Sequence, residues 1–289
     1  MPALVVPSKE STPGELAERY WALRELPAFP SIATKLLQLA SDPNVDVNKL
    51  AGLLRSDASF SAEMLRRANS ALYGLSSEVS SLRQAVMLLG LDQIKSLALA
   101  LCIGSYLRSA LNLAPLRRCW RHSLTTAILA EKSATPAQAD IAYTAGILHD
   151  IGLFGLMVNY PNEYASMLVV AQENQFDLLA TERALFDLDH CEAGAWLARQ
   201  WKFPRGIEDV TLRHHIRPEN DDLSMPAHIY RASAVASALG FAISGPLEPE
   251  PDAYGGLMQS PLFAGWGKKL PEDGDLLRQK ITEKLNALE

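Results

Sequence analysis

The sequence predicts an all-α fold. Apolar residues recur at helical spacing through most of the 289 residues, and no stretch shows clean period-2 alternation bounded by turn residues. Leu and Ala dominate many segments, while the 17 Gly and 17 Pro are scattered rather than concentrated, as in an ordinary globular chain.

Each helix has a local cause. After LPAFP, Ser31 is placed to cap a helix whose apolar stripe is Ile32, Leu36, Leu37, Leu39 and Ala40, with Pro43 blocking its continuation. Asp46 is expected to cap a second, with Val47, Leu50, Ala51 and Leu54 on one face. A third is expected from about Ser59 to Gly74, burying Phe60, Met64, Ala68 and Ala71. A fourth starts near Ser80 or Ser81 and stops at Gly90; a fifth opens at Asp92 and runs to about Leu107. A second series follows Pro115: WRHSLTTAILAEKSA, AQADIAYTAGILHDIGLFGLMV, EYASMLVVAQENQ, DHCEAGAWLARQW, PRGIEDVTLRHH and PAHIYRASAVASALG. Residues 243–256, ISGPLEPEPDAYGG, read as a linker or long loop. The terminal helix carries Leu277, Ile281, Leu285 and Leu288 on one face, expected to dock on the body or on a second subunit.

Charge and composition exclude several roles. A formal net charge of −6, with Lys and Arg mostly as singles or pairs, gives no electrostatic footprint for nucleic acid or anionic lipid. SSLRQAVMLLG followed by LDQIKSLALAL has the outline of a helix-turn-helix, but its second helix offers only Lys95 near its start, too little for a recognition helix. DNA is therefore not the expected partner. Cys102, Cys119 and Cys191 lack CxxC spacing and read as reduced, buried thiols. The start MPALVVPSKE has no signal-peptide pattern, and the apolar run at 97–104 is too short to span a bilayer, so the chain is expected to be soluble and cytoplasmic.

All six histidines lie between 122 and 228. Within that range come His122, His149 beside Asp150, His190, and the pair His214 and His215; imidazole and carboxylate are ligands for a divalent transition metal such as Zn, Mn or Fe. No spacing matches a local metal motif, so such a site has to be assembled by the tertiary fold. Taken singly, each has a plainer role. His122 fits a solvated turn, His190 a helix start near Asp187 and Asp189, and His214 and His215 a helix C-terminus. His149 and Asp150 are the exception, because GIL before them and IGLF after them predict burial, and a buried carboxylate beside a buried imidazole needs a partner.

The run LPAFPSIATKLLQLASDPNVDVNKLAGLLRSDASFSAEMLRRANSALYGLSSEVSSLRQAVMLLGLDQIKSLALAL is similar to the HDOD domain, a bacterial relative of the HD and HD-GYP phosphohydrolases found in signal-transduction proteins. GILHDIGLF, HCEAGAWLARQWKFP and TLRHH resemble the same family. The resemblance covers residues 18–240, implying a helical bundle over 18–112, an HD-like helical core over 113–240, and a Pro/Gly-rich linker with a C-terminal helix over 241–289. It implies that His122, His149, Asp150, His190, His214 and His215 are the metal ligands, for one or two ions of the Fe, Mn, Zn or Ni type.

The chain departs from the catalytic pattern in three places. Ser233, within IYRASAVA, stands where the family's last aspartate is expected; Leu153 replaces a lysine that follows HDIG; and IRPEN follows the paired histidines where a GYP motif is expected. The resemblance with these losses implies a regulatory or interaction module in bacterial signalling, without a catalytic residue, acting on protein partners and with a nucleotide second messenger as a further candidate ligand. The alternative is an active metal-dependent phosphohydrolase for cyclic dinucleotides or nucleotides, with Asp150 as its catalytic carboxylate.

Overall fold

The structure is a computed structural model that describes residues 22, 31–40, 47–55, 58–70, 73, 78–244, 250–266, 268 and 270–288. Every regular element among the described residues is helical. The first five helices are α1 (Ser31–Ala40), α2 (Val47–Arg55), α3 (Ala58–Ala68), α4 (Leu82–Leu89) and α5 (Leu91–Tyr106). Ser31 is the first residue of α1 rather than its cap. The expected boundaries at Pro43, Asp46 and Gly74, and the domain start at 18, lie outside the described residues. The α-helix of α3 stops at Ala68, short of Gly74, because the Asn69 side chain takes over: its amide donates to Leu65 O and Val79 O, and its oxygen accepts from Val79 N at 2.7 Å.

Ser81 caps α4 by accepting from Gln84 N at 3.1 Å, and Gly90, at φ 86°, turns the chain directly into α5. Ten consecutive residues of α5, Ile94 to Ile103, are buried. That helix is apolar all round because it is a core element, and Lys95 spends its charge on Asp140 at 3.4 Å, so α5 has no free face to enter a DNA groove.

The second half comprises α6 (Ala114–Ser133), α7 (Ala139–Leu148), α8 (Ile151–Asn159), α9 (Pro161–Asn174), α10 (Leu178–Phe186), α11 (His190–Gln200), α12 (Arg205–Arg213) and α13 (Met225–Ala236). α6 is the hub, packed by α7 and α13, while α11 lies across α8 and α12. The crossing of α8 and α11 is set by Gly152 and Gly194. A Cβ on Gly152 would fall 2.0 Å from His190 O and 2.3 Å from Gly194 N, so only glycine permits that approach. The segment expected as one helix from 137 to 158 breaks at His149 and Asp150, which form a turn between α7 and α8.

The expected linker is partly wrong. Residues 245–249 lie outside the described residues, but α14 (Ala253–Gln259) forms inside the remainder. Its paired glycines suggested a loop, yet Tyr254 anchors the helix by burying its ring and donating from its hydroxyl to Pro271 O at 2.7 Å. The terminal helix α15 (Gly274–Leu288) docks on the body: Leu277, Ile281, Leu285 and Leu288 are buried against α5 and α6, and Arg67 donates to Ala287 O at 2.6 Å. The stretch Ala139–Asn159 is long and apolar enough to cross a membrane by length and composition, but 83% of its most apolar window is buried inside the fold.

Candidate metal centre

All six sequence-predicted residues come together, from four places in the fold. His122 projects from α6, His149 and Asp150 form the α7–α8 turn, His190 opens α11, and His214 and His215 follow α12. The plain backbone roles hold for some of them. Asp189 caps α11 with Glu192 completing a capping box, so His190 is indeed a helix start, and His214 is the C-cap of α12. The solvated turn expected as an alternative for His122 is excluded, since His122 lies inside α6 and is 3% exposed. His149 is 1%, Asp150 0%, His190 0% and His214 3% exposed, whereas His215 faces solvent.

Hydrogen bonds fix the direction of four of the five rings. Nδ1 of His149 donates to Gly146 O at 2.6 Å, and Nδ1 of His214 lies 3.0 Å from Thr211 O. Nδ1 of His122 donates to Phe241 O at 2.8 Å, an acceptor brought into place by Gly240 at φ 87° in the short turn after α13. Nδ1 of His190 donates to the Glu182 carboxylate at 2.8 Å, which also accepts the His190 backbone N–H at 2.9 Å and the Tyr164 hydroxyl. With protons committed at Nδ1, the Nε2 lone pairs point inward.

What they point at is one another and Asp150. Nε2 of His190 lies 3.3 Å from Nε2 of His214, 3.0 Å from Nε2 of His215 and 3.6 Å from Asp150 Oδ1. Nε2 of His214 lies 3.3 Å from the same oxygen, yet no donor is aligned with Oδ1, which is buried without a hydrogen-bond partner. The other oxygen, Oδ2, pairs with His149 Nε2 at 3.1 Å and accepts from Ser123 Oγ at 3.3 Å. Three imidazole nitrogens gathered beside an orphaned buried carboxylate oxygen make an arrangement that suits a cation. Donors on a tetrahedral ion bound at ~2.0–2.1 Å stand about 3.3–3.4 Å apart, close to the separations here, so these residues fit a divalent transition metal.

Electrostatics agree. Burial pushes the Asp150 carboxyl up, but His149 and His214 outweigh it and hold it well below the usual carboxylate range. Burial pulls the His190 imidazole down, yet Glu182 and Cys191 outweigh it and hold it well above the usual range. Burial lowers His214, and lowers His122 to about 4, so both rings stay neutral and able to donate a lone pair.

Sequence reasoning missed Glu182, Tyr164 and Cys191. Glu182 is fully buried in ATERALF, where a carboxylate on the inner face of a helix was the available signal. Cys191 is buried and free as expected, but its Sγ lies within 4.8 Å of donor atoms of His190, His214 and His215. Ser233 reaches the site as well, its Oγ lying 3.1 Å from His122 Nε2.

An all-α core with a His/Asp cluster gathered from the α7–α8 turn and three other helices defines an HD-type helical domain. The HDOD domain family model matches residues 26–217, and the chain belongs to that family. It is similar to a crystallised HDOD domain protein of unknown function from Geobacter sulfurreducens, 25% identical with a TM-score of 0.69, the match covering 94% of this chain and 96% of that one. A candidate phosphohydrolase from Shewanella amazonensis SB2B shares the fold, at 24% identity and a TM-score of 0.67, over 94% of this chain and 96% of that one. An uncharacterised protein of Treponema pallidum (strain Nichols) is 25% identical over 198 residues, 67% of this chain, and the match spans only 38% of that relative's length.

Proposed function

We propose that this chain is a regulatory or interaction module of bacterial signal transduction, catalytically degenerate, built around a buried divalent-metal centre and acting in the cytoplasm on protein partners. The observation that carries this reading is burial: five of the six donor residues are at most 3% exposed, so a phosphodiester has no open face of the cluster to approach except beside His215. Ser233 supports it, because a neutral hydroxyl at His122 neither anchors a cation nor balances its charge as a carboxylate does.

A bound cation would supply charge neutralisation for Asp150 and Glu182 and a cross-link between the α7–α8 turn, α11 and the end of α12. The chain's own residues do the rest. Glu182 and the carbonyls of Gly146 and Thr211 orient the rings, and Ser123 steadies Asp150.

The second reading is a metal-dependent phosphohydrolase. It is favoured by the retention of the full histidine set with Asp150, and by the solvent-facing His215. Purified full-length chain, loaded in turn with Mn2+, Fe2+ and Zn2+, decides between them when assayed on cyclic di-GMP, nucleotides and a simple phosphodiester. Turnover at the level of the His149→Ala variant is expected; robust hydrolysis lost in that variant overturns the regulatory reading.

A further inference from the structure

The helices α9 and α10 leave an apolar groove on their outer side. Met167 and Val170 of α9 and Ala184 and Leu185 of α10 line a space of about 650 Å3, and Val170 and Leu185 are each nearly half exposed. The inner faces of the same helices carry Tyr164 and Glu182, both fully buried. An aliphatic groove between two helices suits the apolar face of an amphipathic segment.

The chain itself arrives beside this groove. Ala22, the first described residue, is fully buried, and Asn159 donates to its carbonyl at 2.8 Å. Asn159 lies three residues before Asn162, which with Glu163 lines the near end of the groove. From Asn162 to Val170 the wall runs eight residues along α9, about 12 Å, the length of eight residues of helix. The eight residues that precede Ala22 are GELAERYW, with Leu16, Ala17 and Tyr20 at the i, i+1 and i+4 spacing of one apolar face.

We infer that residues 14–21 of this chain dock in the α9–α10 groove. Entering from Ala22, the segment sets Tyr20 and the Arg19 guanidinium at the end marked by Glu163 and Leu185, and Leu16 against Val170. It thereby braces from behind the two helices whose inner side chains, Tyr164 and Glu182, hold His190. The inference goes beyond the regulatory reading and is independent of any metal.

The test is amide hydrogen exchange of the full chain, followed by mass spectrometry of peptides covering 14–21. Slowed exchange there is expected in the unaltered chain. Leu185→Asp, at a solvent-facing position, is expected to speed it at least ~10-fold while exchange in α5 and α6 stays unchanged. Arg19→Glu is expected to speed it ~2–5-fold, and adding Glu163→Arg to restore the slower rate, a reversal that general loosening of the fold does not produce. If Leu185→Asp fails to fold, the charge exchange decides alone. Exchange at 14–21 as fast as in an unstructured peptide, protection there that Leu185→Asp leaves unaltered, or a double variant no slower than Arg19→Glu overturns the inference. A dimer in sedimentation that Leu185→Asp dissociates overturns it as well, because a second copy then fills the groove.

Discussion

His228 and His190 both sit against the core, and their hydrogen bonds differ in kind. His228 donates from Nε2 to Ala130 O at 2.9 Å and accepts from Trp266 Nε1 at Nδ1, also at 2.9 Å, so one tautomer satisfies the whole ring. His190 donates from Nδ1 to Glu182, and its Nε2 then meets two imidazole nitrogens and a carboxylate oxygen. His190 is fully buried and His228 half-buried, but the sharper contrast lies in their partners. The useful question is whether the protein alone can complete the ring's hydrogen bonds, and for His228 it can.

The strongest way to break this contrast is to separate the helices that create it. Gly152→Ala drives a methyl group into the backbone of His190 and Gly194, so α11 has to leave α8; loss of the near-ultraviolet dichroism of packed aromatics and of all bound metal is expected. A smaller effect is expected from chelation. If the ion binds only the folded chain, removing it from a free concentration of 1,000 times Kd costs about 4.1 kcal/mol, read as a drop in the thermal midpoint on adding chelator. The His228→Gln variant should show the same drop, because that ring is not part of the centre.

Glu182→Gln sharpens the comparison without changing shape. It replaces the carboxylate that holds His190 by a neutral amide, and metal affinity measured by chelator competition is expected to fall ~10–100-fold. The smallest effect belongs to Trp266→Phe, which deletes the single bond to His228 Nδ1. About 1 kcal/mol of stability by denaturant titration, with metal content unchanged, is the expected outcome. A change in metal content there would remove the distinction between the two histidines.

Much of this was legible in the sequence, for identifiable reasons. The helical repeat of the apolar positions marks the elements, and the apolar flanks of His149 and Asp150 mark their burial. What periodicity cannot carry is which ends meet: His122 and Ser233 are 111 positions apart, and their contact depends on how α13 crosses α6. Glu182 escaped notice because a lone carboxylate in ATERALF looks like a solvated helix residue until α10 is folded under His190. The helix at Ala253–Gln259 was hidden by composition, since Gly255 and Gly256 weigh against helix locally and only the packing of Tyr254 outweighs them.

The 21-residue stretch Ala139–Asn159 has one more consequence, for the chain as it leaves the ribosome. Before the fold buries it, this stretch has the length and mean hydropathy of a membrane-crossing segment. His149 is its midpoint and Asp150 follows directly, where an aspartate opposes insertion by about 2.5–3.5 kcal/mol. The pair at the heart of the folded cluster is thus also what makes its own apolar stretch a poorer candidate for the bilayer.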